Sequence, residues 1–170
     1  ETVNAVRRIS PGTTMETLIP DFQGNKRNID RIVEAAPEVV SHNIETVRRL
    51  TREVRIQAKY DRSLEVLKRL KEAGIKTKSG IMLGLGETEA AVLESMDDLR
   101  KVDVDILTLG QYLQPTPHHH PVMRYWTPEE FAEIEAFGNQ LGFTHVASGP
   151  MVRSSYHADR MAMEAGFVEA

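Results

Sequence analysis

The sequence predicts an α/β fold, an open and incomplete β/α barrel. Short β-branched runs alternate with longer helical patterns, and the helical stretches have the size that crossovers between parallel strands need. Five candidate strands in 170 residues fall short of a closed eight-unit barrel, which takes about 250 residues. A doubly wound sheet fits the same alternation and is the runner-up.

Residues 1–9 have apolar positions at Val3, Val6 and Ile9 and no cap before them. They read as a helix entered midway, so the chain is expected to be part of a longer protein. The strands are placed at Met15–Ile19, Val39–His42, Thr77–Leu83, Ile106–Gln111 and Thr144–Ser148. Helices are expected over Ile29–Ala36, Arg62–Ala73, Glu89–Val102 and Pro128–Leu141. Leu64, Leu67 and Leu70 line one helical face, and Gly74 follows as a C-terminal cap. Val92, Leu93, Met96 and Leu99 form the next apolar stripe. Thr127-Pro128-Glu129-Glu130 supplies a cap, a proline at the first position and a glutamate at the third. Phe131, Ile134, Phe137 and Leu141 then share a face. Internal repeats and low-complexity linkers are not seen.

Hydrophobic residues make up 41% and charged residues 27% of the chain, an ordinary soluble composition. A net charge of −4 gives no reason to expect nucleic acid. The basic clusters at 48–52 and 68–71 read as solvated helix faces. No apolar stretch approaches the roughly twenty residues of a membrane span. The chain has no cysteine, which excludes disulfides and is compatible with a cytoplasmic location.

In parallel β/α folds reactive groups gather where strands end. The strand ends here are polar: Asp21 to Gly24, His42 to Thr46, Gly84 to Thr88, Gln111 to Thr116, and Gly149 onward. They read as one rim of a ligand site, against the plain fact that loops are polar. The glycines of Gly84-Leu85-Gly86-Glu87 let backbone approach a ligand before a helix N-terminus. The loop lacks the Lys-Ser/Thr of a phosphate loop, and Glu87 suits a neutral or cationic ligand better. Asn43 and Glu45, two apart, point to the same mouth if the chain stays extended. They would then hold a ribose or an ammonium group; the alternative is an Asx turn. Adjacent His118, His119 and His120 between prolines fit a solvated or substrate-facing loop better than zinc. His42 reads equally as a core residue, and His145 as structural. Met82 and Met96 read as core, and Arg124-Tyr125-Trp126 as a packing corner. Arg153, in a hydroxyl-rich loop, suits a carboxylate or an anionic cluster. Acid–base work by Glu45, Glu87 or Lys78 would make a lyase or isomerase instead. A non-catalytic module binding an acyl-carrying domain is the third reading.

The segment Gly149-Pro150-Met151-Val152-Arg153-Ser154-Ser155-Tyr156-His157-Ala158-Asp159 resembles the C-terminal signature of lipoyl synthases. Leu18 to Gly24, His42 to Val47, Lys78 to Thr88 and Leu107 to Pro115 follow that family in order. The resemblance implies a partial β/α barrel of the radical S-adenosylmethionine type. Residues 1–150 would form the C-terminal portion of that barrel, and residues 151–170 a tail carrying the Arg-Ser-Ser-Tyr-His-Ala motif. It further implies S-adenosylmethionine and two 4Fe–4S clusters in the complete protein, with sulfur inserted at the sixth and eighth carbons of a protein-bound octanoyl chain. Asn43, Glu45, Gly84, Gly86, Glu87 and Arg153 become candidate cofactor contacts, and Ser155 the ligand of an auxiliary cluster. The catalytic residues are not assigned. The family's two three-cysteine motifs are missing, so Glu1 is expected to lie beyond them. By itself the chain is expected to hold no cluster and to be inactive. The implied partners are octanoylated lipoyl domains of 2-oxoacid dehydrogenases or the glycine cleavage H protein, with ferredoxin or flavodoxin as electron donor. Neither nucleic acid nor membrane is implied, and the location would be cytoplasmic, or mitochondrial or plastid in a eukaryote.

Overall fold

A computed structural model describes residues 1–164. Helix α1 (Thr2–Ile9) leads into strand β1 (Glu16–Leu18), and Asn25 caps helix α2 (Lys26–Ala35). Strand β2 (Val39–Ser41) is followed by a 3-10 turn at Arg48–Leu50, the short helix α3 (Thr51–Val54) and helix α4 (Tyr60–Glu72). Then come β3 (Lys76–Leu83), α5 (Glu89–Lys101), β4 (Ile106–Gln111), α6 (Pro128–Leu141), β5 (His145–Gly149) and α7 (Ala158–Glu164).

The five strands form one parallel sheet in the order β1-β2-β3-β4-β5. A doubly wound sheet must reverse direction at a switch point, and this order never reverses. The sheet is therefore an open run of β/α units, a partial barrel.

Alternation along the strands sorts the two faces. Ile81 and Leu83 of β3, Leu107 and Leu109 of β4, and Val146 of β5 join one core. Their partners are Leu67 of α4, Val92, Met96 and Leu99 of α5, and Phe131 and Ile134 of α6. Val40 of β2 packs with Ile29, Val66 and Leu70 in a second cluster. The helix stops follow local chemistry: Gly74 takes φ 82° just past α4, where its N–H and that of Ile75 return to Lys71 and Leu70. At the start of α6 the Thr127 hydroxyl accepts from Glu130 N–H while the Glu130 carboxylate accepts from Thr127 N–H, a reciprocal cap.

The opposite face begins with a charged layer. The Lys78 ammonium, with 1% of its side chain exposed, lies 3.1 Å from the Glu16 carboxylate, which also accepts from Ser41 Oγ at 2.7 Å. Strands β1, β2 and β3 each supply one member. Glu16→Ala is expected to cost about 2 kcal/mol in urea unfolding, because it strands a buried cation; the quarter of Glu16 left in solvent keeps this below a fully buried pair. Lys78→Met should cost less, since Glu16 can hydrate.

Candidate functional site

Above that layer the strand ends enclose a cavity of about 670 Å³, a size typical of small-molecule sites. Its floor is Asn43, Glu45, Gly80, Met82, Thr108 and Gly110. His118, His119 and His120 line one side, Arg153 and Ser154 another, and Leu18, Val54 and Leu113 add apolar edges. Leu18 and Leu113 are more than half exposed, so the mouth is apolar while the floor is polar.

Asn43 and Glu45 do meet, though not through extended chain. Glu45 adopts φ 64°, a left-handed conformation strained for a non-glycine residue. Strand β3 holds it there: Glu45 N–H donates to Gly80 carbonyl at 2.9 Å, and Met82 N–H donates to Glu45 carbonyl at 2.8 Å. Asn43 Nδ2 then donates to Glu45 Oε1 at 3.2 Å. Asn43 is 9% exposed, and its Oδ1 is buried without a partner. An orphaned buried acceptor is costly, and it sits on the cavity floor. Gly80 makes room for it, since a Cβ there would come 3.0 Å from Asn43 Oδ1 and 2.9 Å from Thr108 Oγ1.

Burial pushes the Glu45 carboxyl above its usual range; the Asn43 hydrogen bond and the Arg55 charge oppose this only in part. Arg55 donates to Ile44 carbonyl at 3.0 Å, and burial lowers its pKa. A smaller pocket, lined by His42, Asn43, Glu45 and Arg55, adjoins the main one. Burial also lowers the pKa of His42, although its Nδ1 pairs with Ile19 carbonyl at 2.9 Å. His42 is thus a core residue beside the site.

Gly84, Gly86 and Glu87 do not line this cavity. The close approach their glycines permit is by the chain itself. A Cβ on Gly84 would fall 2.2 Å from Gln111 Nε2 and 2.6 Å from Arg124 carbonyl. Gly86, at φ 102°, faces Met123. The Glu87 carboxylate is consumed internally: it accepts from Gly84 N–H at 2.6 Å, Leu85 N–H at 2.9 Å and Trp126 Nε1 at 2.8 Å. The Gly84 and Leu85 N–H groups are therefore already satisfied, and the turn fixes the end of β3. Lys78 is likewise occupied, by Glu16 below the cavity.

The tail crosses over β4. Val152 carbonyl would lie 2.2 Å from a Cβ on Gly110, and Arg153 Nη1 donates back to Val152 and Pro150 carbonyls. Gly110→Ala must displace the tail and is expected to cost about 2 kcal/mol by overpacking, read in urea unfolding. Ser154 lines the cavity, whereas Ser155 is exposed in the adjoining turn, one position beyond the lining. Tyr156 and His157 face a separate cavity of about 510 Å³ beside β5, with Glu135, His145 and Met161.

His119 Nδ1 pairs with Thr116 Oγ1 and His120 Nε2 with Leu85 carbonyl. Among the described residues no three His, Asp or Glu side chains gather as a metal site. With no cysteine in the chain, a lone Ser155 does not fit a cluster by itself. Arg124 stacks over Trp126 at 3.8 Å, which makes 124–126 a packing corner. Sequence reasoning missed Gly80, Thr108, Arg55 and Ser154. Gly80 was findable, because it shares the face of Lys78 and Met82 by the two-residue strand period.

The family model described as "Radical SAM superfamily" matches residues 1–99. The lipoyl synthase of Flavobacterium johnsoniae is 71% identical over 161 residues, covering 94% of this chain and 56% of that relative. The mitochondrial lipoyl synthase of Nematostella vectensis is 66% identical, with 94% and 55% covered. The chain thus spans just over half the length of these relatives. Among solved structures, a domain of pyruvate-formate lyase-activating enzyme from Bacteroides vulgatus aligns with a TM-score of 0.66 at 14% identity, covering 86% of this chain and 89% of that one. The Elp3 protein of Methanocaldococcus infernus aligns at 0.63 and 11% identity, covering 82% and 35%. At such identities the structures show a shared fold alone. No helix among the described residues is long and apolar enough to cross a membrane.

Proposed function

The chain belongs to the radical SAM superfamily, and from that premise we propose that it is the C-terminal portion of a lipoyl synthase. The reading rests on sequence identity of 66–71% to lipoyl synthases across 94% of the chain. The whole protein would insert sulfur at the sixth and eighth carbons of an octanoyl group held on a lipoyl domain or an H protein.

The floor residues fit S-adenosylmethionine. Asn43 Oδ1 is an acceptor awaiting a donor, and Glu45 beside it can take a ribose hydroxyl or an ammonium group. Arg55 is the nearby cation for a carboxylate. Gly80 and Met82 leave a flat strand surface for the purine, and Leu18, Val54 and Leu113 give the acyl chain an apolar edge. When bound, S-adenosylmethionine supplies the radical chemistry; the chain's own residues bind, orient and exclude water. Gly84, Gly86 and Glu87 would act indirectly, by fixing the strand. Arg153 faces the tail end of the cavity, where an anionic cluster held by the rest of the protein would lie, and Ser155 is the oxygen donor proposed for it. The clusters themselves need thiolates that this chain does not contain, so no step is assigned to them here. A lyase or isomerase loses two of its three acid–base groups, since Glu87 and Lys78 are both engaged away from the cavity.

Joining the chain to the N-terminal portion of the Flavobacterium johnsoniae enzyme tests the proposal. The chimera should convert an octanoylated lipoyl domain to the lipoyl form, read by the mass of two added sulfurs. A chimera that holds its iron and cleaves S-adenosylmethionine yet leaves the octanoyl group unchanged would refute it.

A further inference from the structure

We propose that the segment 49–59 is a docking lip for an acidic protein domain that brings the acyl substrate to the cavity. The inference rests on the function proposed above and names the surface chemistry of the partner. This segment forms one edge of the mouth, where Glu53, Val54 and Ile56 line the cavity. Its cations are sorted by use. Arg55 turns inward to Ile44 carbonyl. Arg49, Arg52 and Lys59 are exposed, and no carboxylate pairs with any of the three among the described residues. Arg49 donates to the neutral Gly86 carbonyl at 2.8 Å, which pins the lip to the β3 turn without cancelling its charge. Glu53 is the segment's sole carboxylate in a chain whose net charge is −4.

Ile56 stands among these cations with 86% of its surface exposed. An apolar anchor with a basic surround at the edge of a cavity matches the usual anatomy of an interface, apolar centre and charged rim. Uncompensated cations attract and orient an acidic partner before contact. A protein partner is favoured over a lipid surface because Ile56 is the one exposed apolar side chain of the segment, which borders a cavity that a tethered chain can enter.

Surface plasmon resonance of this chain against an octanoylated lipoyl domain of net negative charge tests the lip. The triple variant Arg49→Glu, Arg52→Glu, Lys59→Glu should bind at least tenfold more weakly in low salt. Screening at about 0.5 M salt should shrink the difference to under threefold. Ile56→Ser should weaken binding severalfold at both salt levels, and circular dichroism should show both variants folded. An uncharged octanoyl-lysyl tripeptide should bind the triple variant as it binds the parent chain. The same tenfold loss with the unacylated domain would support the lip, and if that domain also bound as tightly as the acylated one, the acyl reading of the cavity would fail by itself. The lip is overturned if folded variants bind the domain within twofold of the parent, if the tripeptide suffers the same loss, or if phosphatidylserine vesicles bind and the domain does not.

Discussion

Glu87→Ala should destabilise the chain by about 4 kcal/mol, because three buried donors lose their shared acceptor at once and each orphaned donor costs about 1–3 kcal/mol. The donors are Gly84 N–H, Leu85 N–H and the Trp126 indole N–H. Trp126 is 4% exposed and belongs to the main core, so water cannot replace the carboxylate there. Glu87→Gln retains an acceptor and should lose roughly half as much. Urea unfolding measures both. A ligand-contacting Glu87 would behave in the opposite way, with stability unchanged and affinity lost. The expected order is alanine well below glutamine, with ligand affinity falling only as the end of β3 loosens.

Asn43→Ala and Glu45→Gln should each weaken S-adenosylmethionine binding about a hundredfold in the cluster-bearing chimera, equal to about 2.7 kcal/mol. The melting temperature should hold for Glu45→Gln. Burial raises the Glu45 pKa, so the folded state takes up a proton more readily than the unfolded one. Its stabilising effect is full below the ordinary carboxylate range and is lost as pH rises through the raised value. Neutralising Glu45 at pH 7 therefore removes a cost rather than a support. Binding has the reverse pH dependence, because the ionised carboxylate accepts from a hydroxyl, and attracts an ammonium, more strongly than the protonated acid does. Affinity should fall as pH drops through the raised value, and Glu45→Gln should flatten that profile. Calorimetric titration across pH checks both.

Elements with strong local chemistry were legible in the sequence. Pro128–Leu141 carries a complete capping box, and its predicted ends match α6. Gly74 marks the end of α4 because a left-handed residue is required there. The basic cluster at 48–52 was read as a solvated helix face, and the structure resolves it into a 3-10 turn and the short helix α3, with Leu50 turned into the core. Asn43 and Glu45 meet for a different geometric reason from the one the sequence suggested: a left-handed turn locked by β3, not extension, brings the side chains together. The glycine loop shows a limit of a different kind. Glycines announce close approach, but the sequence does not say whether a ligand or the chain's own Gln111 and Arg124 makes it. Ser154 rather than Ser155 lines the cavity because Gly110 lets Val152 seat against β4, a contact between segments forty residues apart.

On the proposed reading, the orphaned acceptor of Asn43 and the Glu45 carboxylate form the floor on which S-adenosylmethionine rests. A crystal structure of the chimera soaked with S-adenosylmethionine addresses it directly. Ligand donors are expected within hydrogen-bond distance of Asn43 Oδ1 and the Glu45 carboxylate, with the purine against Gly80 and Met82. A ligand seated instead on the Gly84–Thr88 turn or in the cavity beside β5, with Asn43 Oδ1 still unpartnered, would contradict it.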